Sequence, residues 1–219
     1  MTSTPLDTLA HHKANPPRKT GRPRSFDRGA ALGSAMLVFW KHGYEATSIT
    51  DLTAAMGVSA PSLYAAYGDK KRLFLEAVQL YAGDPIALAR FLDEAPSAAS
   101  AVRSFLTAAA VTYTGKTTPP GCLLASATAG VSDVSIDVQL AVSQVRRRIT
   151  GCVKARIAQD IENNKLPPDT DAGALSGGVM AIAQGMSVLA RDGLRRPALL
   201  AIVEAYLRSW PTQAAAALA

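Results

Sequence analysis

The sequence predicts an all-α fold in two parts, a small three-helix helix-turn-helix unit near the N-terminus and a larger helical domain after it. Three observations carry this expectation. Alanine and leucine are abundant while aromatics make up only 6% of the 219 residues, a balance that favours helix. Apolar residues recur at helical spacing from Phe26 onward, and no alternating strand pattern competes with them. The stretch Gly57-Val58-Ser59-Ala60-Pro61-Ser62-Leu63-Tyr64-Ala65-Ala66-Tyr67-Gly68 carries the start and stop signals of a helix of about two turns set between two others.

Residues 1–25 are polar, contain Pro5, Pro16, Pro17 and Pro23, and show no apolar period, so they read as a flexible basic arm. The helix-turn-helix unit is expected over residues 26–75. Asp27 caps a first helix with Leu32, Met36, Phe39 and Trp40 on its inner side, and Gly43 ends it. Ser48 and Asp51 stand at capping-box spacing before Ile49, Leu52 and Met56. Gly57 suits the left-handed position after that helix, Ser59 caps the short one, and Pro61 is tolerated in its first turn because backbone donors there lack partners anyway. Asp69 caps a further helix carrying Leu73, Phe74 and Val78.

Behind it, residues 76–212 read as helices near 86–94, 97–114, 121–131, 133–164, 170–192 and 195–210, parted by Pro and Gly clusters, and residues 213–219 as a tail. Ala172 to Ala190 is free of charge over nearly a bilayer's length. Its glycines, serines and Gln184 fit a helix enclosed by protein better than a membrane span.

The charge is local. Residues 1–75 hold ten Lys or Arg against five Asp or Glu, whereas residues 76–219 hold thirteen against twelve. Such a footprint points to a polyanion on the N-terminal third. The first turns of the second helix of a helix-turn-helix enter the major groove. Ala60, Pro61 and Ser62 therefore make the expected reading face, with Ser62 able to hydrogen-bond and the other two able to meet thymine methyls. Tyr64, Tyr67, Lys70 and Lys71 are expected on phosphates, as are Thr47 and Ser48 at a positive helix N-terminus. Arg22 and Arg24, flanking Pro23 in the arm, suit a narrow minor groove.

Phe26 to Phe74 resembles the DNA-binding domain of the tetracycline-repressor (TetR/AcrR) family. The resemblance rests on Thr47-Ser48-Ile49 with Asp51-Leu52, then Gly57-Val58-Ser59, Leu63-Tyr64, Tyr67 and Lys70. It implies a regulator of double-stranded DNA whose C-terminal domain binds a small effector and dimerises, usually leaving the DNA when the effector arrives. An effector pocket between the middle helices would draw on Phe105, Tyr113, Gln139, Met180 and Gln184, with Cys122 beside them. An apolar pocket of this kind favours a hydrophobic or amphipathic molecule. The dimer is also suggested by the residues themselves. Gly177, Ala181 and Gly185 form a smooth stripe, and Leu199, Ile202, Val203, Tyr206 and Trp210 line the last helix, so two copies of this pair would build a four-helix interface over a palindromic operator.

Cys122 leaves two readings open, a small buried hydrophobe or a thiol activated by the positive end of a helix, which would make a sensor of oxidants or electrophiles. A DNA-binding protein of architectural type, without an effector, is the other alternative. Two cysteines and no apolar leader fit a reduced cytoplasmic setting. Neither enzyme chemistry nor a cofactor or metal is expected. His11 and His12 lie in the arm, His42 ends the first helix, and Gly115-Lys116-Thr117 lacks the leading glycine and strand of a phosphate loop.

Overall fold

The computed structural model describes residues 26–126 and 136–212, and its regular elements are helices. In chain order they are α1 (Arg28–Ala46), α2 (Ile49–Met56), α3 (Ala60–Tyr67), α4 (Lys70–Ala82), α5 (Pro85–Asp93), α6 (Ala98–Tyr113), α7 (Leu123–Ser126), α8 (Ile136–Glu162), α9 (Ala172–Arg191) and α10 (Arg196–Arg208). No strand occurs among the described residues. Helix starts lie where the capping residues place them: side chains of Asp27, Ser48, Ser59, Asp69, Asp84, Ser97 and Asp171 each accept backbone N–H groups of the first turn. At Gly43 the backbone leaves helical geometry (φ 78°), and one further turn reaches Ala46.

The first layer is small. Phe39 of α1 meets Phe74 of α4 edge to face at 5.0 Å, and Leu52, Leu63 and Leu73 close around them, all fully buried. Each short helix is marginal in isolation and is held by this shared core. The expected division at residue 75 falls in the middle of α4, so that helix belongs to both parts.

The second layer packs α6, α8, α9 and α10 together around Leu106, Val142, Ile157, Val179, Met186 and Leu199. By length and composition α9 is apolar enough to cross a bilayer, yet Val179, Ala183, Met186 and Ala190 pack inward against its neighbours. Leu199 and Val203, expected at a protomer interface, are buried within the protomer because the 199, 203, 207 row of α10 faces α6. Trp210 is also buried, edge to face with half-buried Tyr206. Ile202 is half-buried, and Gly177, Ala181 and Gly185 are exposed on α9.

One corner has an ionic lock. Arg156 and Asp160, one turn apart on α8, are both buried and paired at 2.5 Å. Arg156 also donates to the carbonyls of Leu92 and Ala95 at the end of α5, while Asp160 accepts the Ala98 N–H that opens α6. Every polar group is thereby satisfied, and removing one partner leaves a buried charge exposed to no solvent. Arg156→Met should therefore lower stability by about 3–5 kcal/mol in urea unfolding. A loss under about 1 kcal/mol, the value of a surface pair, would show that the corner does not depend on it.

Candidate nucleic-acid interface and cavity

The reading unit is built from caps. Ser48 Oγ accepts the Asp51 N–H at 3.0 Å, and the Asp51 carboxylate accepts both the N–H and the O–H of Ser48, at 3.0 and 2.6 Å. These bonds from Ser48 hold the Asp51 carboxyl below the ordinary carboxylate range. Gly57 (φ 66°) turns the chain, Ser59 Oγ accepts the Ser62 N–H, and α3 emerges with Leu63 and Tyr67 inward. Pro61, Tyr64 and Ala65 are exposed, and Ala60 and Ser62 half-exposed. That leaves a smooth outer face able to approach DNA closely.

The phosphate-facing set differs from expectation. Tyr67 is 2% exposed, and its hydroxyl donates to the Arg28 carbonyl at 2.7 Å while the Arg28 guanidinium lies 4.5 Å from the ring centre. Burial raises its pKa. It is a brace between α3 and α1, not an outward donor. Thr47 is buried with its hydroxyl donated to Gly43, and the one hydroxyl proton of Ser48 is committed to Asp51. Lys70 donates to the Glu45 carbonyl and covers the Tyr44 ring, and its pKa falls with burial. Lys71 pairs with Asp137 at the start of α8. Tyr64, 46% exposed, keeps the outward position foreseen for it. Ser62 shares a hydrogen bond with Ser59 and, as a hydroxyl with two lone pairs, retains capacity for a base edge. Arg22 and Arg24 lie outside the described residues.

Beneath this unit a cavity of about 490 Å³ opens among α1, α4, α6, α8 and α9. Phe105, Tyr113, Cys122, Met180 and Gln184 are among the residues that line it. Gln139 is not: it borders a separate hollow with Leu140, Ser143 and Arg146. Sequence reasoning missed Met36, Trp40 and Tyr81, which form the wall nearest the reading unit. Their signal was an aromatic with a polar edge on each of two adjacent helices. Trp40 and Tyr81 meet edge to face at 4.8 Å.

Two phenols of the cavity meet at Cys122. The Tyr81 hydroxyl donates to its Sγ at 3.3 Å, and Tyr113 is held against the same thiol. Burial pushes both phenols well above their ordinary pKa. Cys122 immediately precedes α7, at a helix start as expected, and it is buried. The Cys122 N–H donates to Ser187 Oγ of α9 at 2.8 Å, and the preceding Gly121 carbonyl accepts the Trp40 indole N–H at 3.1 Å. Cys152, half-buried on α8, lies apart from this group. Among the described residues no three His, Cys, Asp or Glu side chains converge as a metal site would require.

Residues 31–77 match the family described as bacterial regulatory proteins, tetR family, and residues 98–207 match the tetracyclin repressor-like C-terminal domain. The HTH-type transcriptional repressor ComR of Escherichia coli is 35% identical over 196 residues, which covers 89% of this chain and 93% of that protein. The E. coli repressor BdcR is 33% identical over 108 residues, 49% of this chain and 55% of its own. Among solved structures, a cysteine mutant of the TetR family regulator CifR in complex with 26-base-pair double-strand operator DNA is 40% identical, with a TM-score of 0.82 over 87% of this chain and 100% of that one.

The placements of the two tyrosines separate their roles. Tyr64→Phe should weaken selected and unrelated duplexes by the same few-fold factor, as loss of a phosphate contact does. Tyr67→Phe should instead cost about 1 kcal/mol of folding stability, the worth of one hydrogen bond, and leave duplex affinity unchanged. Anisotropy titrations and thermal melts of both variants check this, and the reverse pattern would exchange the roles.

Proposed function

The chain belongs to the TetR family of bacterial regulatory proteins, DNA-binding transcriptional regulators and not enzymes, and from that premise we propose a dimeric, effector-released repressor acting on a palindromic operator in the cytoplasm. The observation that carries the release step is the shared wall. Met36 and Trp40 belong to α1, the first helix of the reading unit, and they also line the cavity. A molecule entering that cavity touches the helix that carries the DNA-binding face. Because packed interfaces shift between discrete arrangements, such a contact biases the angle of the reading unit. Lys71 and Asp137 make a second tie from α4 to α8.

Operator contact in this reading has three parts. The outer face of α3, with Pro61 and Ser62, enters the major groove, Tyr64 sets its register on a phosphate, and Arg22 and Arg24 of the arm take the neighbouring minor groove. Two copies are joined through the exposed stripe of α9, where Gly177, Ala181 and Gly185 permit close approach and Val188, 57% exposed, supplies apolar area. A cavity of this size, opening beside the reading unit, speaks for an effector and against a purely architectural role. The burial of Cys122 beneath two phenols favours release by a non-covalently bound molecule over a thiol-triggered one.

Selection of random duplexes by the full chain, with sedimentation equilibrium alongside, tests the proposal. An inverted repeat should be enriched and the protein should sediment as a dimer. Val188→Asp should give monomers and lose about tenfold or more in affinity for the full site while keeping its half-site preference. Enrichment of an asymmetric site by a monomer would refute it.

A further inference from the structure

The walls of the cavity carry no formal charge. Among the described lining residues there is no Asp, Glu, Lys, Arg or His; the polar groups are the hydroxyls of Tyr81, Tyr113, Thr112 and Thr118, the Cys122 thiol and the Gln184 amide. The remainder is aliphatic or aromatic, including Trp40 and Phe105. Two guanidiniums stand near the lining without belonging to it. Arg191 donates to the Cys122 carbonyl and to Ser126, and Arg146 donates to the Leu124 carbonyl. Burial keeps both tyrosines as neutral phenols at any physiological pH, so they offer hydrogen bonds and no counter-charge.

Resting on the effector reading above, we infer that the cavity selects uncharged molecules, apolar ring systems with one hydrogen-bonding group that meets the Tyr81–Tyr113–Cys122 corner. A charged ligand entering this wall would leave water without gaining an opposite charge, and that desolvation is costly unless paired. An apolar body gains from Trp40, Phe105 and Met180, whereas a single polar group is satisfied at the corner or by Gln184, which both donates and accepts. Charge, more than size, is therefore what the cavity rejects.

A matched pair of fluorescent probes isolates that property. N-phenylnaphthylamine is neutral and carries one N–H; anilinonaphthalenesulfonate is the same skeleton with an added sulfonate. On the full-length protein without DNA, the neutral probe should bind saturably, once per protomer and about tenfold or more tighter than the sulfonate. Ala109→Phe, which fills the lining, should weaken it about tenfold, with circular dichroism confirming the fold; Met180→Trp serves as a second filling variant if the first does not fold. Equal or tighter binding of the sulfonate would overturn the charge rule. Binding of the neutral probe that neither filling variant alters, or no saturable binding of either probe, would also overturn it. The repressor reading fails separately, through operator selection and dimer state, which this titration does not involve.

Discussion

The indole N–H of Trp40, donated at 3.1 Å to the carbonyl of Gly121, ties α1 of the reading unit to the segment that enters the cavity wall. The bond is buried, so its loss would leave two unsatisfied groups without water to replace each other. The site also requires glycine. At φ 82° Gly121 already adopts a conformation unfavourable to other residues, and a Cβ there would stand 2.8 Å from the Ser187 carbonyl and 2.7 Å from Arg191 Nε. Helix α9 thus presses on the same dipeptide that holds α1. Because Ser187 and Arg191 bind the next residue, Cys122, a single turn of backbone connects α1, the cavity wall and the helix proposed to face a second protomer.

Affinity and geometry are divided between different residues as a result. The hydroxyls of Thr47, Ser48 and Tyr67, which would ordinarily be assigned to phosphate, are committed within the unit itself, and Lys70 uses one of its three donors there. Arg28 covers the Tyr67 ring and forms a two-point ion pair with Glu76 of α4, locking α1, α3 and α4 into one body. What remains outward on α3 is small, apart from Tyr64. In the proposed repressor the arm and the long-range field of the basic N-terminal third must then carry much of the non-specific attraction, which is salt-dependent, while α3 contributes fit.

Local signals made the architecture legible. The Ser48–Asp51 box, Gly57 in the left-handed region and the Ser59 cap are short-range features, and each formed where its residue types demanded. Inward and outward faces were less well read where a residue had two chemical uses. Tyr67 lies four positions after Leu63, on the same side of α3, so helical spacing indicated burial even though its hydroxyl suggested phosphate. Leu199 and Val203 share the inner row of α10 by the same arithmetic. Gln139 lies seven residues before Arg146, two turns along α8, and borders a hollow with it that does not include the cavity lining. The Arg156–Asp160 spacing of one turn was visible, but the ties of that pair to Leu92, Ala95 and Ala98, and the Trp40–Gly121 bond, were not, because those partners lie 61 to 81 residues away.

The cavity and the reading unit of the proposed repressor are energetically linked through the wall they share, and linkage is reciprocal. The most direct test compares the affinity of N-phenylnaphthylamine for the DNA-free protein with its affinity for protein saturated by the duplex it selects. Binding to the DNA-bound form should be weaker by about fivefold or more. Equal affinity in the two states would contradict this linkage, since a ligand that does not distinguish them shifts nothing between them.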